Sequence, residues 1–421
     1  MSDRLKFCLV TTFYPPYHFG GDGIFVHRLA QALGERGHSV DVIHSVDAYR
    51  LQHPSDPEID FAHHPNVKRH PLETSRPLVS ALTAHQLGRP AAYARRLREL
   101  LEGDRYDVIH YHNISLMGGP GILRWGRALK LYTANEYWLI CPTHVLFYFN
   151  RQACTRRRCF ACTLHYRRPP QLWRYTGALR RALRHVDCLL MPSRFALEQH
   201  RAQGLDRPMV HLPYLIPAPP AVATPGPAES PGRPFFLYVG RLEKLKGVQD
   251  LLTLFESYRE ADLWIVGAGN HKATLEDQAR GLQHVRFLGQ VHPSRLASLY
   301  REAVALLVPS LCYETFGITV AEAFSHGTPA IVRRIGALSE NIEQSRGGYS
   351  FDSLEECRAA MEKLRTQPEL RAALGRQGQT TWREQWSTEA HMDRYLDLVR
   401  SLLAARRGQD RVEESAKALA G

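Results

Sequence analysis

At 421 residues the chain is long enough for two domains of ordinary size. It is 44% hydrophobic and 23% charged, an ordinary globular balance, and no run of about 18 apolar residues offers a membrane-spanning helix. Lysine and arginine exceed aspartate and glutamate by 54 − 42 = 12. No nucleic-acid module accompanies that excess, so it reads either as a basic solvated surface or as one that meets an anionic ligand, a phosphorylated partner or a membrane surface.

Residues 1–10 hold one short apolar burst flanked by charges, without the long apolar core of a signal peptide. The expectation is a first buried strand at 6–12 and a cytoplasmic location, extending at most to peripheral contact with the inner face of a membrane. A loop containing Gly20 and Gly21 leads into a helix over 24–36, where Phe25, Leu29, Ala32 and Leu33 recur at helical spacing and Gly37 stops it. A strand at 38–44 completes a β–loop–α–β unit, and such alternation implies a parallel sheet. Ligands of open α/β sheets bind at the carboxyl ends of strands, where Gly20 and Gly21 fall; a plain tight turn is the alternative. Residues 49–89, rich in proline and histidine, read as loop with one strand at 67–70. A helix near 90–101 and a strand at 107–111 follow. His112, at that strand's end, is either a ligand contact or a satisfied structural histidine. A strand at 129–133 ends in Asn135 and Glu136. Asn135 cannot act as a general base, but its amide can donate a hydrogen bond to a ligand hydroxyl or carbonyl oxygen.

Four of the eight cysteines then cluster as Cys141-x12-Cys154-x4-Cys159-x2-Cys162. Four thiolates suit tetrahedral zinc, and Arg156, Arg157 and Arg158 can offset their charge; His144 and His165 are substitute ligands. Three readings stand: a structural zinc that staples an insertion at about 141–165, no metal, or an iron–sulfur or redox site. Disulfides are not expected without a secretory signal. The segment 170–184 reads as an amphipathic helix that buries Trp173 and Tyr175. The proline-rich run 216–234 admits no regular element and marks a linker.

The second half restarts with a strand at 235–239, ending in Gly240-Arg241, with Lys246-Gly247 before a helix at 248–258. Arg241 and Lys246 are surface charges or a clamp on a diphosphate, the first a planar fork and the second a mobile point charge. After strands at 263–266 and 305–308 comes the stretch 308–332, VPSLCYETFGITVAEAFSHGTPAIV. A helix starting near Thr319 puts Glu322 in its first turn, where the dipole and free N–H groups also favour phosphate. Glu314, in the preceding loop, can accept from ligand hydroxyls, and Gly317 lets a ligand approach the backbone. The stretch suits a ligand with both hydroxyls and a diphosphate. Helices at 368–377 and 380–406 close the chain, with a polar tail after Gly408 expected to fray.

The spacing of Glu314 and Glu322 resembles the E-x7-E signature of retaining GT-B glycosyltransferases of the family-4, group 1 type. YVGRL at 238–242 with Lys246-Gly247, LWIVGAG at 263–269, VRFLG at 285–289 and Leu299-Tyr300 follow that family's order and spacing over about 235–345. The N-terminal half matches more loosely. The resemblance implies an α/β GT-B fold: two Rossmann-like parallel-sheet domains, 1–215 on the acceptor side and 235–378 for the nucleotide sugar, facing a central cleft. It implies that a helix at 379–408 crosses back through Trp382, Trp386 and Tyr395, leaving a tail at 409–421. It implies donor contacts at Gly20, Gly21, His112, Gly240, Leu288, Gly289, Phe316, Gly317 and Ile318. Glu314 would hold donor-sugar hydroxyls, Glu322 the ribose, and Arg241 and Lys246 the diphosphate. The catalytic set is Glu314, Arg241, Lys246 and Asn135, although the family commonly has histidine at position 135. The implied reaction is retaining hexosyl transfer from a nucleotide-diphosphate donor, UDP by family frequency, to a glycan, lipid-linked or small-molecule acceptor. No cofactor is needed for catalysis; zinc would be structural. The departing phosphate oxygen would take the acceptor's proton. Two other readings are a catalytically impaired binding protein, marked by Asn135, and another sugar-phosphate enzyme on the same fold.

Overall fold

The structure of the chain, a computed structural model, describes residues 4–53, 57, 61–103, 105–219 and 232–420, with side chains up to residue 408. Most of the expected linker lies outside these residues. The first sheet contains β1 (Lys6–Val10), β2 (Ser39–Ser45), β3 (Val67–Leu72), β4 (Val108–Tyr111) and β5 (Leu129–Thr133). A small antiparallel hairpin, β6 (Phe147–Tyr148) and β7 (Gln152–Ala153), precedes its last two strands, β8 (Cys188–Met191) and β9 (Met209–His211). All seven strands run parallel in the order β3-β2-β1-β4-β5-β8-β9. The second sheet is formed by β10 (Phe235–Val239), β11 (Asp262–Val266), β12 (Val285–Gly289), β13 (Leu306–Val308), β14 (Ala330–Arg333) and β15 (Gly348–Phe351). Its order is β12-β11-β10-β13-β14-β15, again all parallel. Strands such as KFCLV and DLWIV are apolar along their length because helices cover both sheet faces.

The helices of the first domain are α1 (Gly21–Glu35), α2 (Val46–Arg50), α3 (Pro77–Leu87), α4 (Ala94–Gly103), α5 (Cys159–His165), α6 (Ala178–Leu183) and α7 (Arg194–Ala202). Those of the second are α8 (Val248–Ser257), α9 (Lys272–Gln278), α10 (Pro293–Glu302), α11 (Ile318–Ser325), α12 (Gly336–Ser345), α13 (Leu354–Thr366), α14 (Pro368–Thr381) and α15 (Thr388–Ala420). One helix falls within the expected loop at 49–89: α3, opened by Pro77 and closed by left-handed Gly88. A second, α2, overlaps only its start and is capped by Ser45, whose Oγ accepts from Ala48 N–H. The single amphipathic helix expected at 170–184 is instead a 3-10 turn at Leu172–Tyr175 followed by α6, because left-handed Gly177 separates them. Trp173 is buried there, but Tyr175 is 62% exposed, against expectation. The backbone of α15 is helical to Ala420, past Gly408.

The strand order reverses between β1 and β4 in one sheet and between β10 and β13 in the other. Loops leaving the carboxyl ends at such reversals form a natural ligand crevice. They are the loops that carry Gly20 and Gly21, His112 and Asn113, Gly240 to Lys246, and Pro309 to Gly317. The crossing back of the C-terminal segment is present. Trp382 donates to the Ile216 carbonyl (3.0 Å), Tyr395 OH meets His110 Nδ1 (3.0 Å), and Trp386 packs on Phe316 and Phe324.

Candidate active site

Glu314 sits between β13 and α11, four residues after Ser310. The Lys246 ammonium reaches its Oε1 at 2.6 Å, and the Ser310 hydroxyl donates to the same oxygen at 2.7 Å. Burial pushes the Glu314 carboxyl up; the Lys246 charge and these hydrogen bonds outweigh that and hold it below the usual carboxylate range. Burial likewise disfavours the Lys246 ammonium, but the Glu314 charge prevails and holds it above its ordinary value. Lys246 ends a short 3-10 turn stopped by Gly247. That glycine is left-handed, and a Cβ there would stand 2.1 Å from the Pro309 carbonyl oxygen, so the two loops meet only through glycine. Arg241 is half-exposed and pairs with Glu243 at 2.7 Å.

The first domain docks onto this loop through its own strand ends. Thr315 Oγ1 donates to the Asn135 carbonyl (3.0 Å), and Tyr137 OH donates to the Glu314 carbonyl (3.1 Å). Tyr214 OH donates to Asn135 Oδ1 (3.2 Å), which aims the Asn135 amide. Asn135 Nδ2, both ring nitrogens of His112 and Glu136 Oε1 are buried without a hydrogen-bond partner. Burial pushes the His112 imidazole down to about 3. The Asn135 amide lies near enough to oppose that shift in part, yet short of a hydrogen bond. His112 is therefore neutral and offers one donor and one acceptor. Buried polar atoms are normally satisfied, so this cluster of orphans marks a place for a polar ligand.

The glycine expectations divide. Gly20 caps α1 and Gly21 begins it; a Cβ on Gly21 would stand 2.6 Å from Ile318 Cδ1, so Gly21 lies where the two domains touch, whereas the space beside Gly20 is open. Gly317, left-handed, caps α11. A Cβ on Gly240 would stand 2.9 Å from Tyr238 OH, and a Cβ on Gly267 would stand 1.9 Å from the Gly240 carbonyl oxygen, so these two loops pack closely through glycine. The Gly289 carbonyl accepts from Gly267 N–H (2.8 Å), and Leu288 packs against the core. The Phe316 side chain is buried between Tyr214 and Trp386, so only its backbone is left for a ligand contact at this position. The position of Glu322 on its helix is a correction. Because α11 starts at Ile318, Glu322 lies in its second turn, and no acidic residue occupies the first. Its Oε1 pairs with Arg28 of α1 (2.9 Å), and its Oε2 accepts from Tyr300 OH (3.3 Å).

Cys141, Cys154, Cys159 and Cys162 all border one small cavity, together with Arg156 and Arg158. Burial raises the thiols of Cys154, Cys159 and Cys162. The expected convergence is present, but the ligand geometry is not. All four are free cysteines, and among the described residues no three His, Cys, Asp or Glu side chains stand together as a metal would require.

Sequence reasoning did not assign Asp22, Glu136, Ser310 or Arg28. Asp22, in the first turn of α1, accepts from Gly23 N–H (2.9 Å) and Asn113 Nδ2 (3.4 Å). Burial, and then the Glu136 charge, raise its carboxyl. Glu136 Oε2 is held by His144 Nδ1 at 2.8 Å. The position of Asp22 beside Gly20-Gly21, and of Glu136 beside Asn135, was the available signal.

Residues 225–381 match the family described as glycosyl transferases group 1, and residues 20–214 match the glycosyl transferase 4-like domain. Over 371 residues, 82% of each chain, the sequence is 27% identical to the glycogen synthase of Mycobacterium tuberculosis. It is 26% identical over 348 residues to the phosphatidyl-myo-inositol mannosyltransferase of Mycobacterium leprae, covering 79% of this chain and 81% of that one. Among solved structures, the sucrose-phosphate synthase of Thermosynechococcus elongatus superposes with a TM-score of 0.71 at 20% identity, covering 95% of this chain and all of that one. The HepE protein of Anabaena, in complex with UDP-glucose, gives 0.66 at 14% identity, covering 94% and 100%.

Proposed function

The chain belongs to the group 1, family-4-type glycosyltransferases of GT-B fold, and on that premise we propose that it moves a hexosyl group from a UDP-sugar to an acceptor hydroxyl with retention of configuration. The observation that carries this reading is the Lys246–Glu314–Ser310 cluster beside the orphaned polar atoms of His112, Asn135 and Glu136. Lys246 stays cationic and meets the charge that grows on the leaving diphosphate. Arg241, half-exposed on the same loop, adds a planar fork once it leaves Glu243. Ionised Glu314 accepts from donor-sugar hydroxyls, and the neutral His112 and Asn135 groups supply the complementary donors. Asn135 moves no proton, so the departing phosphate oxygen takes the one released by the acceptor.

The UDP and UDP-glucose complexes of the Anabaena protein support the choice of nucleotide. The names glycogen synthase and mannosyltransferase among the relatives support a hexosyl group. The test is calorimetric titration with UDP, GDP and ADP, with Arg241→Ala/Lys246→Ala as control, followed by transfer assays and assignment of the product's anomeric configuration. UDP binding lost in the double variant, with an axial–axial or equatorial–equatorial outcome, is expected. No nucleotide binding, or inversion, overturns the reading. Binding without any transfer would instead favour a catalytically impaired binding protein.

A further inference from the structure

Nine large hydrophobic side chains are exposed among the described residues, and all but Leu51 belong to three neighbouring elements of the first domain. On α3, Ser80 and Ala84 face inward while Leu78, Val79, Leu82 and Leu87 are 42–59% exposed, so this helix buries its small residues and presents its large ones. The 3-10 turn at Leu172–Tyr175 packs against α3, where Trp173 Nε1 donates to the His85 carbonyl (2.9 Å), and it exposes Leu172 and Tyr175. Phe160 of α5 meets Tyr175 edge-on at 6.5 Å between ring centres, and Leu164 lies one helical turn further on. The patch is therefore continuous. Isolated exposed apolar residues are ordinary; eight gathered on one face are not.

The segments that build this face carry charge of one sign. From Tyr137 to Val186 the chain contains ten arginines and no acidic residue, and from Thr74 to Arg98 it again contains none. Apart from Arg174, whose guanidinium stacks on Trp173, the ten are exposed. An apolar face whose own segments carry arginine and no acidic residue is complementary to an anionic lipid surface, which takes the side chains at its acyl boundary and the guanidinium groups among its headgroups. No helix among the described residues is long and apolar enough to cross a membrane, so such contact would be peripheral.

We propose that this face, built from α3, α5 and the turn at Leu172–Tyr175, docks the first domain onto an anionic lipid bilayer. The test is co-sedimentation of the full chain with phosphatidylcholine vesicles, with and without phosphatidylglycerol. Binding to the anionic vesicles, weakening with salt, is expected. Leu82→Glu/Tyr175→Glu should lower partitioning by about tenfold, and Arg180→Ala/Arg181→Ala should lower it similarly and flatten its salt dependence. UDP calorimetry on the same variants reports whether the fold and nucleotide site are intact, and keeps failure of this inference separate from failure of the donor reading. Absence of vesicle binding, or binding unchanged in both variants, overturns the proposal. So does a dimer abolished by Leu82→Glu/Tyr175→Glu without vesicle binding, which would make a second copy the occupant.

Discussion

Replacing Lys246 with methionine keeps the volume of the stem and removes the charge. Two costs follow. The Lys246–Glu314 pair is 2.6 Å long, and its side chains are 17% and 20% exposed, so they are largely but not wholly desolvated. Breaking a fully buried pair costs about 3–5 kcal/mol; with this residual exposure and Ser310 still bonded to Glu314, about 1–3 kcal/mol is expected, which a domain of this size survives. The larger loss falls on catalysis. One preorganised donor at developing charge is worth about 3–4 kcal/mol, a fall in kcat of about 10²–10³. The pH dependence supplies an independent check. The folded Glu314 value is lowered, so its contribution to stability is present above the ordinary value of 4.5 and is lost as pH falls through the folded value. The folded Lys246 value is raised, so its contribution is present below 10.5 and is lost as pH rises through the folded value. The variant's stability deficit should therefore be full near neutral pH and narrow in acid, where Glu314 is protonated in both proteins. Transfer assays at saturating donor and thermal melts across pH measure both effects. A kcat within about threefold of the parent, or a deficit that ignores pH, refutes the reasoning.

Three further outcomes are expected. Arg28→Ala frees Glu322 from a partly exposed pair worth about 0.2–1 kcal/mol, so UDP affinity by calorimetry should rise by up to about fivefold if the ribose takes Glu322; weaker binding counts against that role. The folded Asp22 value is raised, so its ionised form costs stability once pH exceeds the ordinary value of 3.8. Asp22→Asn should then raise the melting temperature at neutral pH, with the gain fading in acid, while transfer falls; a neutral-pH loss of stability contradicts this. If the cysteine cavity closes on zinc, elemental analysis finds about one equivalent, which Cys159→Ser/Cys162→Ser loses together with thermal stability; a metal-free parent whose stability the double variant leaves unchanged refutes that reading.

What the sequence disclosed follows the kind of signal each part carries. Parallel strands buried on both faces read as short apolar runs, and both sheets were visible that way. The stretch around Glu314 was legible because its spacing is local: Ser310, Glu314 and Gly317 share one loop. Arg28 and Glu322 stand 294 positions apart, and no local pattern announces their pairing. Phe316 lies between visible site residues, yet its side chain turns inward onto Trp386 of the returning C-terminal segment, a tertiary decision that spacing does not encode. The helix α3 was missed for a related reason. Its apolar residues face outward, so the usual inference that a helical stripe covers core fails there.

The cysteine-bearing insertion is where the two proposals meet. It contributes Phe160 and Leu164 to the apolar face through α5, and within the same stretch His144 holds the Glu136 carboxylate beside Asn135. His144 is itself fixed by the turn it closes: its carbonyl accepts from Tyr137 N–H (3.1 Å), and its N–H donates to the Cys141 carbonyl (3.1 Å). A short, loop-rich segment thus ties the surface that would meet lipid to the wall of the cleft that carries Glu136 and Asn135. With so little apolar core of its own, that segment depends on the packing of Tyr137, Cys141 and Leu146 against Ala196 to hold both ends in register. An acceptor presented at a membrane surface would then arrive at a domain that the membrane already holds. A freely diffusing acceptor would place no such demand on the face carrying α3 and α5.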